Sequence, residues 1–232
     1  MQLHVRRGLA ATLVCTALLA HAACDDSSDD AGTSSSSAAS PDDGTTSTDP
    51  TESTDPTDPT GTPPDGLTEL PLTTDAQQPG TAPMWAFPVV VKGWTFTTRD
   101  QKGVNQLTRN GSDALFTSYQ LKEAGSNSSD AADSKAWLVK YHAELSQNSQ
   151  ISKVSTPTYG TALLQTDHGT VEFVKQDLTY VTAAGVTYRS RFVARSLGTY
   201  LIAVQYGAPE GQWSESEWQR LISSGLKVVL GW

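Results

Sequence analysis

Residues 170–206 read TVEFVKQDLTYVTAAGVTYRSRFVARSLGTYLIAVQY, and their reading decides the fold. Apolar and polar side chains alternate with a period of two, and the stretch is cut by Ala184-Gly185 and Leu197-Gly198. Alternation of this kind, bounded by tight turns, predicts consecutive antiparallel strands. The strands are expected over Thr170–Gln176 (extending toward Ala183), Val186–Arg195 and Thr199–Tyr206. Upstream, Tyr159–Thr166 has the same period and joins through Asp167-His168-Gly169. Connections this short allow a meander and leave no room for the crossovers that parallel strands need.

Working outward, the period changes to that of a helix. From Asp130 to Asn148 the apolar residues Leu138, Tyr141 and Leu145 fall at i, i+3 and i+7, with Trp137 widening the stripe. Asp130 and Asp133 place acid at the positive end of the helix dipole. A second helix is expected after Ser214, where Ser214 and Glu217 form an S-x-x-E capping box and Trp213 and Trp218 stand at the staple positions. It is expected to run through Ile222 to Leu226, weakened by Gly225. Before the first helix, Val89–Val91 and Trp94–Thr98 predict a strand or bent pair. Asn110-Gly111 predicts a turn, and Ala114–Leu121 a further strand followed by a polar loop, Lys122–Ser129.

Segregated strands and helices indicate an α+β domain with helices packed on a twisted antiparallel sheet. The Gly93-Trp94-Thr95-Phe96 strand, the helix 130–148, the Tyr200-Leu201-Ile202-Ala203-Val204 strand with Ala208-Pro209 behind it, and the closing helix through Ile222-Ser223-Ser224-Gly225-Leu226 together resemble the Mog1/PsbP-like fold. That fold includes small bacterial lipoproteins of the DcrB and LpqN groups. The resemblance spans most of residues 85–230 and rests on pattern. It implies an α/β/α sandwich and an accessory or binding protein, and it carries no catalytic residue onto this chain.

The first 23 residues read as an export signal. His4, Arg6 and Arg7 precede an apolar run from Gly8 to Ala20, which spans only about 20 Å as a helix against a bilayer core of about 30 Å. A charged start, a short apolar run and small residues at its end mark a secretory signal peptide. Two processing routes stay open. Ala20-His21-Ala22 is an A-x-A cleavage site that releases a secreted protein. Ala22-Ala23-Cys24 resembles the end of a bacterial lipobox, with His21 where Leu is usual, and makes Cys24 an acylated N-terminus. Cys24 is the one cysteine left once Cys15 leaves with the signal, which favours the lipid anchor. The expected membrane partner is then lipid reached through acylated Cys24, on the extracytoplasmic side of a bacterial envelope.

Residues 24–83 are expected to be a disordered acidic tether, leaving 84–232 as a single globular domain. All 18 aromatic residues lie at or after Trp85. The tether has Thr-Asp-Pro at 48–50, 54–56 and 57–59, and its 13 acidic residues meet no Lys or Arg. Without apolar surface, the entropy of ordering such a segment goes uncompensated. The net charge of −9 therefore misleads: from residue 84 onward there are 14 basic and 12 acidic residues. A nearly neutral domain has no basic footprint for nucleic acid.

Chemistry-bearing residues are sparse. His142 and His168 are the histidines outside the signal, and there is neither a G-x-S-x-G elbow nor a phosphate-binding glycine loop. No catalytic residue, metal site or cofactor is expected, and a hydrolase is the least favoured class. Arg189, Arg191 and Arg195 fall on one side of a strand by the period of two. They are candidates for an anion- or partner-docking stripe, against a plain sheet face paired with Glu172 or Asp177. Trp85, Trp94, Trp213 and Trp232 are candidates to line an apolar groove, or else to fill the core. The functional expectation is a binding module for an unknown envelope protein or ligand, with a carrier of a lipid or small apolar molecule as the alternative.

Overall fold

The computed structural model describes residues 69–76, 79–88, 90–122, 128–167, 169–223 and 226–231. The elements run β1 (Glu69–Leu70), β2 (Met84–Ala86), β3 (Trp94–Gln101), β4 (Val104–Arg109), β5 (Leu115–Lys122), α1 (Asp130–Gln147), β6 (Ile151–Val154) and β7 (Thr158–Gln165). They continue with β8 (Thr170–Thr182), β9 (Thr187–Leu197), β10 (Tyr200–Pro209), a 3-10 turn (Glu210–Gln212), α2 (Glu215–Ser223) and β11 (Lys227–Val229). The export signal, Cys24, the Thr-Asp-Pro repeats, His168 and Trp232 lie outside the described residues.

The expected meander is present. β7, β8, β9 and β10 pair in sequence, all antiparallel. β10 then pairs with β5, and the sheet continues through β4 to β3. β4 belongs to no predicted strand, and neither does β6, which pairs with the far end of β8. β1 makes the sheet mixed, because it runs parallel to β8 at Thr170–Val171. β7 already occupies one edge of β8 at those residues. β1 therefore takes the other edge, in line beyond Val174↔Ala194, the last β8–β9 pair.

Both faces of the sheet's central strands are buried. On one, α1 packs over β8 and β9, bringing Leu138, Tyr141 and Leu145 onto Phe192, Tyr119 and Ala203. The Phe192 ring lies 4.8 Å from that of Tyr141 and 5.4 Å from that of Tyr119. On the other face, α2 and a small β2–β11 sheet cover Phe116, Ile202, Val204 and Tyr206 with Trp85, Trp218 and Val228. The result is an α+β domain in three layers, a sheet between helical covers. β5, β9 and β10 are central strands, which is why they carry apolar side chains on both sides. Thus Phe116 and Tyr119 serve opposite cores.

Local signals account for the helices. The Ser129 hydroxyl accepts from the Ala132 amide at the start of α1, and the Ser214 hydroxyl accepts from the Glu217 amide at the start of α2. The second half of the expected capping box is not made, because the Glu217 carboxylate bonds Trp94 and Arg220 instead. α2 also ends at Ser223, short of the expected Leu226. Leu226 enters the core, and the chain leaves as β11, paired to β2. The expected strand at Val89–Val91 is absent from the described part of that stretch, though Val91 is buried.

The boundary at residue 84 needs correction, since among the described residues the folded structure reaches back at least to Glu69. Leu70 and Ala76 pack on the core, and the Thr81 amide donates to the Gly231 carbonyl. Aromatic content missed this strap because polar contacts hold it. Leu72 N–H donates to the Glu172 carboxylate at 2.9 Å and Ala76 N–H to the Asp130 carboxylate at 2.7 Å.

Candidate functional site

The three arginines of β9 are placed together by the sheet, but each is engaged within the domain. The Arg195 guanidinium is fully buried. It donates to the carbonyls of Pro71, Thr74 and Glu172 and lies 3.3 Å from the Asp130 carboxylate. It therefore fills the space where β9 leaves β8 and joins the strap to the N-terminus of α1. Burial pulls its pKa down in spite of Asp130. Burial likewise raises that of Asp130, outweighing the Ala76 amide and Arg195. Arg191 is buried between Asp177, at 2.7 Å, and Glu215, at 2.7 Å. These two carboxylates outweigh the desolvation of Arg191 and hold its pKa above the usual value. Arg189 lies over the Trp213 ring at 3.7 Å. With Arg191 and Arg195 sealed, the stripe has no free row of cations for a partner. Asp177, one of the expected cross-strand carboxylates, takes its place as an internal neighbour.

The tryptophans form no shared groove among the described residues. Trp85 packs against Phe173, and Trp94 against Tyr206. Trp213 is half-buried and stacks on Tyr206. These rings complete the core beneath α2. His142 is half-buried, with Nε2 at 3.1 Å from the Ser155 carbonyl. Among the described residues no group of three or more His, Cys, Asp or Glu is placed to hold a metal ion.

A site absent from the sequence reading lies at the β3–β4 end of the sheet. A groove of about 520 Å³ is lined by Thr95, Thr97, Thr108, Asn110, Ser112, Asp113 and Gln212, among others. Thr95 and Thr108 are cross-strand partners. The Thr95 hydroxyl donates to Asn110 Oδ1 at 2.8 Å, and the Ser112 hydroxyl meets the Gln212 side chain. Asn110-Gly111, read as a turn, does turn the chain between β4 and β5, with Gly111 at φ +73°.

Beneath the groove, polar side chains continue into the sheet. Thr97 donates to Gln106 Oε1 at 3.3 Å, and Gln106 Nε2 donates to the Thr117 hydroxyl at 3.4 Å. Further in, Gln205 Nε2 donates to Tyr141 and Ser190, and Tyr119 donates to Gln205 Oε1. The buried members of these two sets tie together the strands on which the groove stands. Thr95 and Thr97 fall in the expected Trp94–Thr98 strand, whereas Gln106 and Thr108 belong to no expected strand. What the sequence lacked was the pairing of β3 with β4, which brings them onto one wall.

No protein-family model matches the chain, and no curated protein sequence matches it. Solved structures are similar to it. The solution structure of cyanobacterial PsbP (CyanoP) from Synechocystis sp. aligns with a TM-score of 0.38 at 13% identity, over 62% of this chain and 91% of that one. A crystal structure of a protein from Bacteroides thetaiotaomicron aligns with a TM-score of 0.32 at 14% identity, over 67% of this chain. The chain spans about half the length of that second protein, at 48%. The likeness concerns fold alone. Among the described residues, no helix is long and apolar enough to cross a membrane.

Proposed function

We propose that this chain is a lipid-anchored protein of a bacterial envelope whose folded domain is a non-catalytic binding module for a small, hydroxyl-rich polar ligand. The observation that carries the ligand class is the groove at the β3–β4 end, walled by hydroxyl, amide and carboxylate side chains together with the Arg109 guanidinium. Such groups exchange hydrogen bonds with a polyol or sugar and offer little to an aliphatic chain. Of the tryptophans that recommended an apolar carrier, Trp85, Trp94 and Trp213 are spent on core packing. Support for the anchor comes from the sequence alone, through Ala22-Ala23-Cys24 and the acidic stretch behind it.

Two experiments test the reading. Metabolic palmitate labelling, with Cys24→Ser as control, tests the anchor: label lost in the variant supports acylation, and an unlabelled wild type overturns it. Native mass spectrometry of the purified chain tests the ligand. A bound polar molecule retained by wild type and lost on Thr108→Val supports the groove, whereas a bound lipid returns the domain to the carrier class.

A further inference from the structure

Among the described residues the sheet has two open edges, and they are built differently. β3 is guarded. Its pairing with β4 is interrupted by register shifts on either side of Thr98, and its end carries Arg99, Asp100 and Lys102. Bulges and charges of this kind keep an edge strand from pairing with another chain.

β7 has no such guard. Its eight residues contain no charge and no proline, and it pairs with β8 without a break from Thr158 to Gln165. Among the described residues, β11 approaches this edge at its C-terminal end, where Thr166 bridges Val228, and no strand pairs with it from Thr158 to Leu163 other than β8. Beside this edge lies an apolar patch. Tyr159 and Leu163 share one face by the period of two and are 39% and 51% exposed. Val139 joins them at 49% exposed. It stands on α1 between Lys135, whose ammonium lies over the Tyr159 ring, and His142, which reaches Ser155 just before β7.

The strand also restricts what fits it. In an antiparallel pair, opposite residues must both point their N–H and C=O groups toward the partner or both point them away. Along one strand these directions alternate, so a two-fold axis joining two identical strands must pass through a residue. An axis through Thr161 sets Tyr159 opposite Leu163 of the other copy, Leu163 opposite Tyr159, and Thr161 opposite itself. Each exposed apolar side chain is then covered by the other, and the axis carries a Thr–Thr pair, a favourable cross-strand combination. With no charge on β7 itself, the paired strands set no like charges opposite each other.

We propose that β7 is a homodimerisation edge, at which two copies of this chain pair antiparallel about a two-fold axis through Thr161. The two sheets become one continuous sheet, an isologous interface, and the binding groove lies at the far end of each subunit from the junction. The inference is independent of what the groove binds.

The test uses the full chain, with sedimentation velocity over a range of concentrations. Wild type is expected to sediment as a dimer. Thr161→Lys sets two ammonium groups opposite each other on the axis, and because Thr161 is exposed the subunit itself keeps its melting temperature. This variant is expected to be monomeric. In a Cys15→Ser, Cys24→Ser background, Thr161→Cys places two thiols within the 4.4–6.8 Å Cα separation of a disulfide. It is expected to form a covalent dimer under oxidising conditions, while Leu163→Cys, four residues out of register with its own copy, is not. A monomeric wild type, or a dimer that survives Thr161→Lys, overturns the proposal. So does cross-linking of Leu163→Cys without Thr161→Cys.

Discussion

The indole N–H of Trp94 donates to the carboxylate of Glu217 at 2.7 Å, joining the first residue of β3 to the first turn of α2 across 123 residues of sequence. The same carboxylate pairs with Arg220 at 2.6 Å. Hydrogen bonds from Arg220, and then from Trp94, outweigh burial and hold Glu217 below the usual 4.5. A carboxylate whose pKa is lower in the folded state contributes stability above its unfolded pKa, and that contribution is lost as pH falls through the folded value. Glu217→Gln is therefore expected to destabilise the domain at pH 7, with the difference from wild type shrinking below about pH 4.5. Urea unfolding of both proteins between pH 7 and pH 3 measures this.

Arg195 is the most consequential polar residue of the strap junction. Arg195→Met leaves the Asp130 carboxylate buried without its cation and the Pro71, Thr74 and Glu172 carbonyls without their donor. Removing one partner of a buried pair costs about 3–5 kcal/mol. Adding Asp130→Asn is expected to return part of that loss, because the orphaned charge is gone. A double-mutant cycle by chemical denaturation checks both values.

A chain begun at residue 84 lacks the strap. It gives up β1, the packing of Leu70 and Ala76, and every backbone partner of Arg195 except Glu172. Compared with a chain begun at residue 66, it is expected to melt at a clearly lower temperature. Thermal unfolding followed by near-UV circular dichroism tests this, and equal melting temperatures would contradict the role assigned to the strap.

Gly103 closes the β3–β4 hairpin at φ +76°, with its carbonyl accepting from the Gln120 amide. A Cβ there would stand 2.0 Å from the Gln120 carbonyl oxygen, whereas one at Gly111, at φ +73°, meets nothing within 4 Å. Gly111→Ala is expected to cost about 1–2 kcal/mol from backbone strain alone. Gly103→Ala is expected to cost more, since the backbone must also open. Equilibrium unfolding of the two variants side by side checks the order.

The meander and α1 were legible because each satisfies its own local rule. Val171 to Tyr206 alternates between tight turns, and Leu138, Tyr141 and Leu145 recur on one helical stripe. β4 escaped notice because Val104-Asn105-Gln106-Leu107-Thr108-Arg109 carries only two apolar residues, on opposite faces of the strand, while the polar Gln106 is buried. β1, β2 and β11 are two or three residues long and exist through partners distant in the sequence, so no local pattern announces them. The arginines of β9 were correctly placed on one strand. Asp177 of β8 was among the expected partners, but the others come largely from α1, α2 and the strap, and a cation's fate depends on neighbours that its own strand does not specify. The groove was hidden for the same reason, since its walls come from β3, β4 and a turn after β10.

The strap has a mechanical consequence. Tension transmitted along the chain from residue 68 enters the domain at Glu69, where it meets a two-residue ladder and the clamp around Arg195. These give way before the long ladders of β7 to β10. Peeled as far as Pro83, the strap adds at most about 50 Å of slack at roughly 3.4 Å per residue. A tug is thus absorbed at the margin of the domain while both cores stay shut.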